Sequence, residues 1–164
     1  MDDVAFLGSA LSIAREGLRA GQVPVGAAMV REGRLLEAAH NTVWRDLDPT
    51  GHAEMNVIRL SARAVQGIFL RGCTAYCTLE PCPMCMSAFL WTQVDRIVYG
   101  ASITDAVKVG FPELWVPSAE LAMRARRNVR IEQCVECRDE CLALFQEWRA
   151  AGSPRHTAGK RETS

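Results

Sequence analysis

The sequence carries no surplus of charge of either sign. Its 164 residues include 19 lysines and arginines and 19 aspartates and glutamates, so the formal net charge is zero. Proteins that bind nucleic acid draw much of their affinity from phosphate neutralisation and usually carry a basic surplus. The balance therefore makes nucleic acid an unlikely partner and favours a small, neutral ligand. Four arginines do lie close together, and we interpret them as a solvated helix face: Arg124, Arg126, Arg127 and Arg130.

Long apolar runs are also absent, although 49% of the residues are apolar. Charged residues such as Asp2, Asp3 and Arg15 interrupt the first twenty positions, so we expect neither a signal peptide nor a membrane span. The sequence therefore predicts a cytoplasmic protein that does not enter a membrane. Seven cysteines, an odd number, in such a chain indicate thiols or metal ligands more than disulfides.

The chain shows no internal repeat and no linker, and its length suits one domain. Residues 1–151 are predicted to form that domain. Residues 152–164 are polar, basic and poor in apolar groups, so we expect them to be a disordered tail.

Hydrophobic spacing alternates between helical and strand periods along the chain, which predicts an α/β domain. Helices are predicted over 4–20, 52–64, 118–126 and 139–150, with a short one beginning near Cys82. Strands are predicted over 24–30, 35–39, 74–79, 96–99 and 129–133. The first two strands form a hairpin around a turn at Glu32-Gly33, and residues 41–51 are predicted to be a polar loop.

Two short motifs carry residues suited to metal chemistry, His52-Ala53-Glu54 and Pro81-Cys82-Pro83-Met84-Cys85. Cys82 and Cys85 are three residues apart, so on one helical turn their sulfurs can point to a common centre. Both motifs are expected at helix N-termini, whose partial positive charge favours the thiolate form that binds zinc. Taken alone, Cys-x-x-Cys could equally be a redox pair or half of a structural zinc site, and His-x-Glu means little.

The two motifs together match the signature of zinc-dependent deaminases. From about residue 21 to residue 149 the chain resembles the cytidine deaminase-like superfamily. The resemblance implies a three-layer α/β/α fold around a mixed five-stranded sheet. It also implies one Zn²⁺ held by His52, Cys82 and Cys85, with one position left for water as in catalytic zinc sites. Glu54 would then stay off the metal and shuttle protons from that water to the ring nitrogen and the departing amine.

The residues in and directly before the two motifs resemble the branch of the superfamily that contains tRNA adenosine deaminases and bacterial guanine deaminases. Ile103-Thr104-Asp105-Ala106 followed by Gly110-Phe111-Pro112-Glu113 looks more like the guanine deaminases, since the tRNA enzymes tend to carry a glycine-rich run here. This resemblance implies that guanine is hydrolysed to xanthine and ammonia. It also implies that Glu113 is a second catalytic acid, contributed within a homodimer that exchanges segments between subunits. The alternative interpretation of Glu113 is an ordinary loop carboxylate.

Three further residues are candidates for contact with the substrate, and the resemblance points to Asn41 and Trp91 among them. Asn41 occupies the position of an asparagine that reads the base, although it could also be a turn residue. The backbone N–H groups near Ala53 or the Cys82 turn would steady the developing charge. Trp91 matches an aromatic position of the guanine deaminases, but we favour packing in the core or a dimer interface. Trp44 and Trp115 are other candidate ring platforms that spacing alone does not place.

Two departures from the guanine deaminase pattern leave other functions open. Val25 stands where those enzymes tend to have phenylalanine, and the C-terminal tail has no tyrosine. Cytosine, a nucleoside or a triazine are therefore alternative substrates. Adenosine in tRNA is an alternative from the same superfamily, and a non-catalytic zinc-binding interaction module is an alternative from another class.

The remaining cysteines receive structural interpretations. Cys73 and Cys77 are predicted to be small core residues. Cys134, Cys137 and Cys141 are interpreted as thiols of a surface turn and an amphipathic helix. The alternative is that these three complete or form a structural metal site.

Overall fold

The computed structural model of the chain describes residues 2–111 and 114–152. Within them, seven α-helices and one short 3₁₀ helix (Val135–Cys137) accompany five strands. The helices are α1 (Asp3–Arg19), α2 (Val43–Asp46), α3 (Ala53–Ala64), α4 (Pro83–Thr92), α5 (Ile103–Lys108), α6 (Ser118–Met123) and α7 (Arg138–Ala150). The strands are β1 (Gly26–Arg31), β2 (Arg34–His40), β3 (Cys73–Leu79), β4 (Arg96–Ala101) and β5 (Arg130–Gln133).

The strands form one mixed sheet in the order β2-β1-β3-β4-β5. β1 pairs antiparallel with both β2 and β3, whereas β3, β4 and β5 run parallel to one another. Each parallel pair needs a crossover, and α4 supplies the one between β3 and β4. The mixed five-stranded sheet and the α/β class are as the sequence predicts.

Helices cover the sheet and bury its centre. β1 contacts both α1 and α3, and its residues Gly26–Val30 are buried without alternation, as in a strand covered on both faces. α1 lies so close to β1 that a side chain at Gly26 would collide with the backbone oxygen of Ala10, so the packing requires glycine there. The largest side chains of the core include Leu7, Leu11, Met29, Tyr76, Met86, Phe89, Ile97 and Phe145.

Short helices account for most of the differences from the predicted elements. The loop predicted over 41–51 contains α2, a single turn that ends at Leu47 in the left-handed conformation. α5 was not predicted, yet Ser102 and Asp105 form a capping box at its beginning, which is a local signal in the sequence. α6 ends at Met123, three residues before the predicted end. The arginine cluster therefore follows this helix instead of forming its face, and its members are exposed.

The cysteines outside the two motifs are all buried. Cys73 and Cys77 lie in the core of the sheet, as predicted. Cys134 and Cys137 do lie in a turn at the surface, where Val135 is 66% exposed, but their own side chains are only 6% and 4% exposed. The short 3₁₀ helix of this turn contacts α1 and β4. Within the described residues these thiols do not form a metal-binding trio with Cys141, since the one such cluster of His, Cys, Asp and Glu lies elsewhere.

Two further predictions concern the C-terminal tail and membrane-spanning segments. The predicted tail over 152–164 lies outside the described residues except for Gly152. No helix among the described residues is both long and apolar enough to cross a membrane.

An ion pair ties α5 to α7. Arg138 donates to both carboxylate oxygens of Asp105, from Nε at 2.9 Å and from the terminal nitrogen at 2.6 Å. The Asp105 side chain is 9% exposed and that of Arg138 37%. The hydrogen bonds from Arg138 lower the pKa of Asp105 below its usual value. The stabilisation is therefore present above the ordinary carboxyl pKa and is lost as pH falls through the lowered one.

Asp105→Asn should lower the free energy of unfolding in urea at pH 7 by about 1–2 kcal/mol, because half of a bidentate charged pair is lost. The difference from wild type should shrink as pH falls below about 4, because the carboxylate of the unfolded chain becomes protonated there while the folded one, with its lowered pKa, stays ionised. Asp139→Asn is the matched control, since Asp139 binds the same arginine but is 92% exposed. A control variant as unstable as Asp105→Asn would contradict this assignment.

Candidate active site

Two helix N-termini bring the motif residues together. His52 immediately precedes α3 and Cys82 immediately precedes α4, each with an extended backbone. Pro83 occupies the first position of α4, where its missing N–H costs nothing, and Cys85 follows in the first turn. α3 and α4 contact each other, so the N-terminal residues of both helices face one centre.

The three donor atoms have the spacing that zinc requires. His52 Nδ1 lies 3.7 Å from Cys82 Sγ and 3.5 Å from Cys85 Sγ, and all three atoms lie within 4.8 Å of one another. Zinc–sulfur and zinc–nitrogen bonds of about 2.3 and 2.0–2.1 Å at a tetrahedral angle would separate S from N by about 3.5 Å. The donor set of two thiols and one imidazole therefore fits zinc.

The two thiols have pKa values shifted in opposite directions. The hydrogen bond from Cys85, aided by His52, lowers the pKa of Cys82 to about 4. The same pairing, together with burial, raises the pKa of Cys85. One thiolate is thus already available beside a buried thiol, and binding a metal through both sulfurs releases the remaining proton.

Glu54 lies in the first turn of α3, two residues after His52, and is only 3% exposed. The cluster of metal donors consists of His52, Cys82 and Cys85 and does not include Glu54. The charge of Glu54 contributes to the raised pKa of the fully buried Cys77, after burial itself. The acid group therefore lies in a low-dielectric interior beside the metal donors.

A cavity of about 290 Å³ opens beside these residues. This volume lies at the lower end of the range for ligand pockets, about 300–1,000 Å³, and suits a small molecule. The polar groups of its wall are those of Asn41, His52, Glu54, Glu80 and Cys82. The apolar part of the wall consists of Val23, Val25, Val43, Trp44, Pro49, Leu79 and Phe111.

One side of the cavity is held in place by Asn56 of α3. Its amide nitrogen donates to the backbone oxygens of His40 (3.0 Å) and Gly51 (3.3 Å) and to the hydroxyl of Thr42 (3.0 Å). These bonds fix both ends of the segment that contains α2. That segment brings Asn41 and Trp44 to the cavity.

The other predicted substrate residues have different positions. Asn41 is 4% exposed and lines the cavity, while its side-chain oxygen accepts from the N–H of Val43 at 3.1 Å. The turn interpretation is therefore confirmed, whereas the role of Asn41 in reading a base stays a prediction. Ala53 is fully buried at the first position of α3. Glu113 lies outside the described residues.

Trp91 lies on α4 and is 82% exposed, so it does not fill the core of this chain. It does not line the cavity beside Glu54 but a separate surface groove with Leu90 and Arg126. Its role at a substrate or a dimer interface stays a prediction.

Sequence reasoning did not assign two residues of the cavity. Phe111 packs against Phe145 and Trp148 of α7, with ring centroids 4.7 and 5.8 Å apart. Glu80 directly precedes Pro81 and Cys82 in the sequence. This adjacency indicates that it lies near the metal donors but does not indicate what its carboxylate binds. Trp44 was a candidate platform, and the structure places it at the cavity.

Residues 1–101 match the family described as the cytidine and deoxycytidylate deaminase zinc-binding region. The chain belongs to this family of zinc-dependent deaminases. Zinc is therefore the metal that the His52, Cys82 and Cys85 cluster is suited to hold.

Relatives in this family include enzymes of two kinds. The guanine deaminase of Bacillus subtilis (strain 168) is 33% identical over 150 residues, which cover 91% of this chain and 95% of that protein. The tRNA-specific adenosine deaminase of Aquifex aeolicus (strain VF5) is 42% identical over 96 residues, or 58% of this chain and 64% of that protein. Among solved structures, a variant of the protein NE0047 in complex with 8-azaguanine has a TM-score of 0.82 at 26% identity, covering 91% of this chain and 85% of that one.

Replacement of a metal donor should empty the site of metal. The purified wild type is expected to carry about one zinc per chain, and His52→Ala or Cys85→Ala to lose most of it, because two remaining donors hold zinc weakly. Metal analysis after passage over a chelating resin measures this. Cys141→Ala removes a buried thiol outside the cluster and should keep its zinc. Equal zinc loss in this control, or retention in His52→Ala, would contradict the site.

Proposed function

We propose that this deaminase acts on a free aminated nucleobase and that its substrate is guanine, which yields xanthine and ammonia. The observation that carries the proposal is a small cavity in which buried Glu54 lies beside three zinc donors. The guanine deaminase of Bacillus subtilis supports it, because that match extends over nearly the full length of both chains. The zero net charge of the chain also suits a small substrate.

His52, Cys82 and Cys85 would hold the zinc, which would supply a Lewis acid that brings the pKa of a water molecule toward neutrality. Glu54 accepts one proton from the attacking water and passes it to a ring nitrogen, then accepts the second proton from the hydroxyl group added to the ring and passes it to the leaving amine. One water is consumed and one ammonia released, so the carboxylate ends each cycle in its starting state. The N–H groups at the beginning of α3, near Ala53, stabilise negative charge that develops on the substrate.

The walls of the cavity supply recognition of a planar base. Asn41 offers a carboxamide, which pairs with donors and acceptors on a purine edge. Trp44 and Phe111 offer aromatic surface on which a base can stack. Trp44 is 36% exposed and would lose this exposure when a base binds.

Three further assignments are part of the proposal. Glu113 acts as a second acid at the substrate, since it follows Phe111 of the cavity wall by two residues. Trp91 serves an interface between two copies of the chain, because it is too exposed to pack within one copy. The chain accordingly forms a homodimer, either with or without exchange of segments between its two subunits.

Adenosine in tRNA is the second candidate substrate. The 42% identity to the Aquifex aeolicus enzyme and the exposed arginines after α6 favour it. Ammonia release from guanine, cytosine, adenine, their nucleosides and ammeline, compared with inosine formation in a tRNA anticodon stem-loop, separates the candidates. Higher kcat/KM on the stem-loop than on any free base would overturn the proposal.

Glu54→Gln should keep its zinc and lose about 10²- to 10⁴-fold in kcat, because the amide can no longer carry the proton. Steady-state ammonia release and metal analysis of the same preparation measure the two effects. Near wild-type turnover in the zinc-loaded variant would remove the shuttle role from Glu54.

Trp44→Ala should raise KM for the base by about 5- to 100-fold, the loss expected when a stacking surface is removed. Phe69→Ala, the same kind of change at an exposed aromatic outside the cavity wall, is the matched control and should change KM by less than about twofold, because surface substitutions away from a site have small effects. A larger KM effect for Trp91→Ala than for Trp44→Ala would instead place Trp91 at the substrate, as its family position implies.

A further inference from the structure

Glu80 is a buried carboxylate that binds two helix N-termini at once. It follows the last residue of β3 and is 6% exposed. One carboxylate oxygen accepts from the N–H of Ile103 at 3.1 Å, and the other accepts from the N–H of Ser118 at 2.8 Å. Ile103 and Ser118 are the first residues of α5 and α6. A negative charge is favourable at both positions because the N-terminal N–H groups carry partial positive charge.

These two bonds hold both ends of the segment 103–118, of which the structure describes residues 103–111 and 114–118. The Ser118 hydroxyl adds a bond to the backbone oxygen of Pro81 at 2.9 Å. The N–H of Glu80 itself donates to the oxygen of Ala101 at 2.8 Å, just before the segment begins. Both ends are therefore joined to the two residues that directly precede the metal donor Cys82.

The segment 103–118 forms part of the cavity wall. Phe111, near its middle, lines the cavity together with Glu54 and Cys82. A shift of either end would move this wall relative to the metal donors, since Glu80 and Cys82 are only two residues apart in the chain. The position of Phe111 relative to the metal donors thus depends on the bonds that Glu80 accepts.

We propose that Glu80 is a positioning residue that sets the substrate affinity of this deaminase by fixing the segment 103–118 against the metal motif. Glu80 also lines the cavity. Because each of its carboxylate oxygens already accepts a hydrogen bond from a backbone N–H of the segment, we assign it to holding the segment and not to proton transfer. The kinetic part of the inference rests on the proposed function, whereas the structural part does not.

The role needs a carboxylate rather than an amide. Glutamine at this position offers one accepting oxygen and an NH₂ group that can only donate. One of the two N–H groups, that of Ile103 or that of Ser118, would then face another donor. Glu80→Gln should therefore release one end of the segment while leaving the size of the side chain unchanged.

Hydrogen exchange and kinetics of Glu80→Gln test the proposal on the zinc-loaded protein. The amides of the segment 103–118 should exchange at least about tenfold faster, while those of β1 keep their wild-type rates. KM for the base should rise by about tenfold or more, with a smaller change in kcat, an unchanged pH profile of kcat and full zinc content. Glu120→Gln, the same change at an exposed position of α6, is the control and should match wild type.

A second variant guards against a folding defect in the first. Ser118→Ala removes the hydroxyl bond to Pro81 but keeps the N–H that binds Glu80, so it should shift exchange and KM in the same direction by a smaller factor. Wild-type exchange and KM in both variants would overturn the proposal. So would a loss of kcat with an altered pH profile at constant KM, which indicates proton transfer by Glu80. If wild type releases no ammonia from bases, the proposed function fails while the exchange rates still decide the positioning role.

Discussion

The meeting of two helix N-termini is the constraint on which the rest of this protein depends. His52 and Cys82 each end an extended segment and precede a helix, so their side chains project from the ends of α3 and α4 and not from the sides. Metal donors at such ends are held by backbone geometry and lie in a field that favours anions. The site can therefore be rigid although its ligands come from residues 30 to 33 positions apart in the chain.

The mixed sheet brings these ends together. β3 is the central strand, with the antiparallel β1 on one side and the parallel β4 on the other. The chain leaves the end of β3 through Glu80 directly into the Cys82 turn, while the segment after β2 leads through α2 to His52. Asn56 fixes that segment, and Glu80 holds the segment 103–118. Two polar side chains thus hold two of the segments that line one cavity.

The sequence predicted the parts of the site that local rules determine. Cysteines in one helical turn, proline at the first helical position and a histidine before a helix are local patterns, and the structure places all three donors together. The mixed sheet was predicted as well, from alternating hydrophobic periods and the resemblance. The beginning of α5 could also have been predicted from the sequence, because Ser102 and Asp105 have the spacing of a capping box.

Other features required tertiary information. The bonds of Glu80 join residues 23 and 38 positions apart, and no spacing rule indicates that both helix ends will meet one carboxylate. Cys134 and Cys137 lie in a turn at the surface, as predicted, but their own side chains are buried where this turn contacts α1 and β4. Trp91 was a candidate for the core, but its side chain is exposed. The resemblance identifies an aromatic position in the sequence and does not indicate whether that side chain is buried.

The central claim is that three side chains of this protein hold zinc and that no fourth one does. X-ray absorption at the zinc edge of the purified protein tests it most directly. The account predicts two sulfur scatterers at about 2.3 Å and one imidazole at about 2.0–2.1 Å as the only protein ligands. A third sulfur or a second imidazole would close the coordination shell and contradict it.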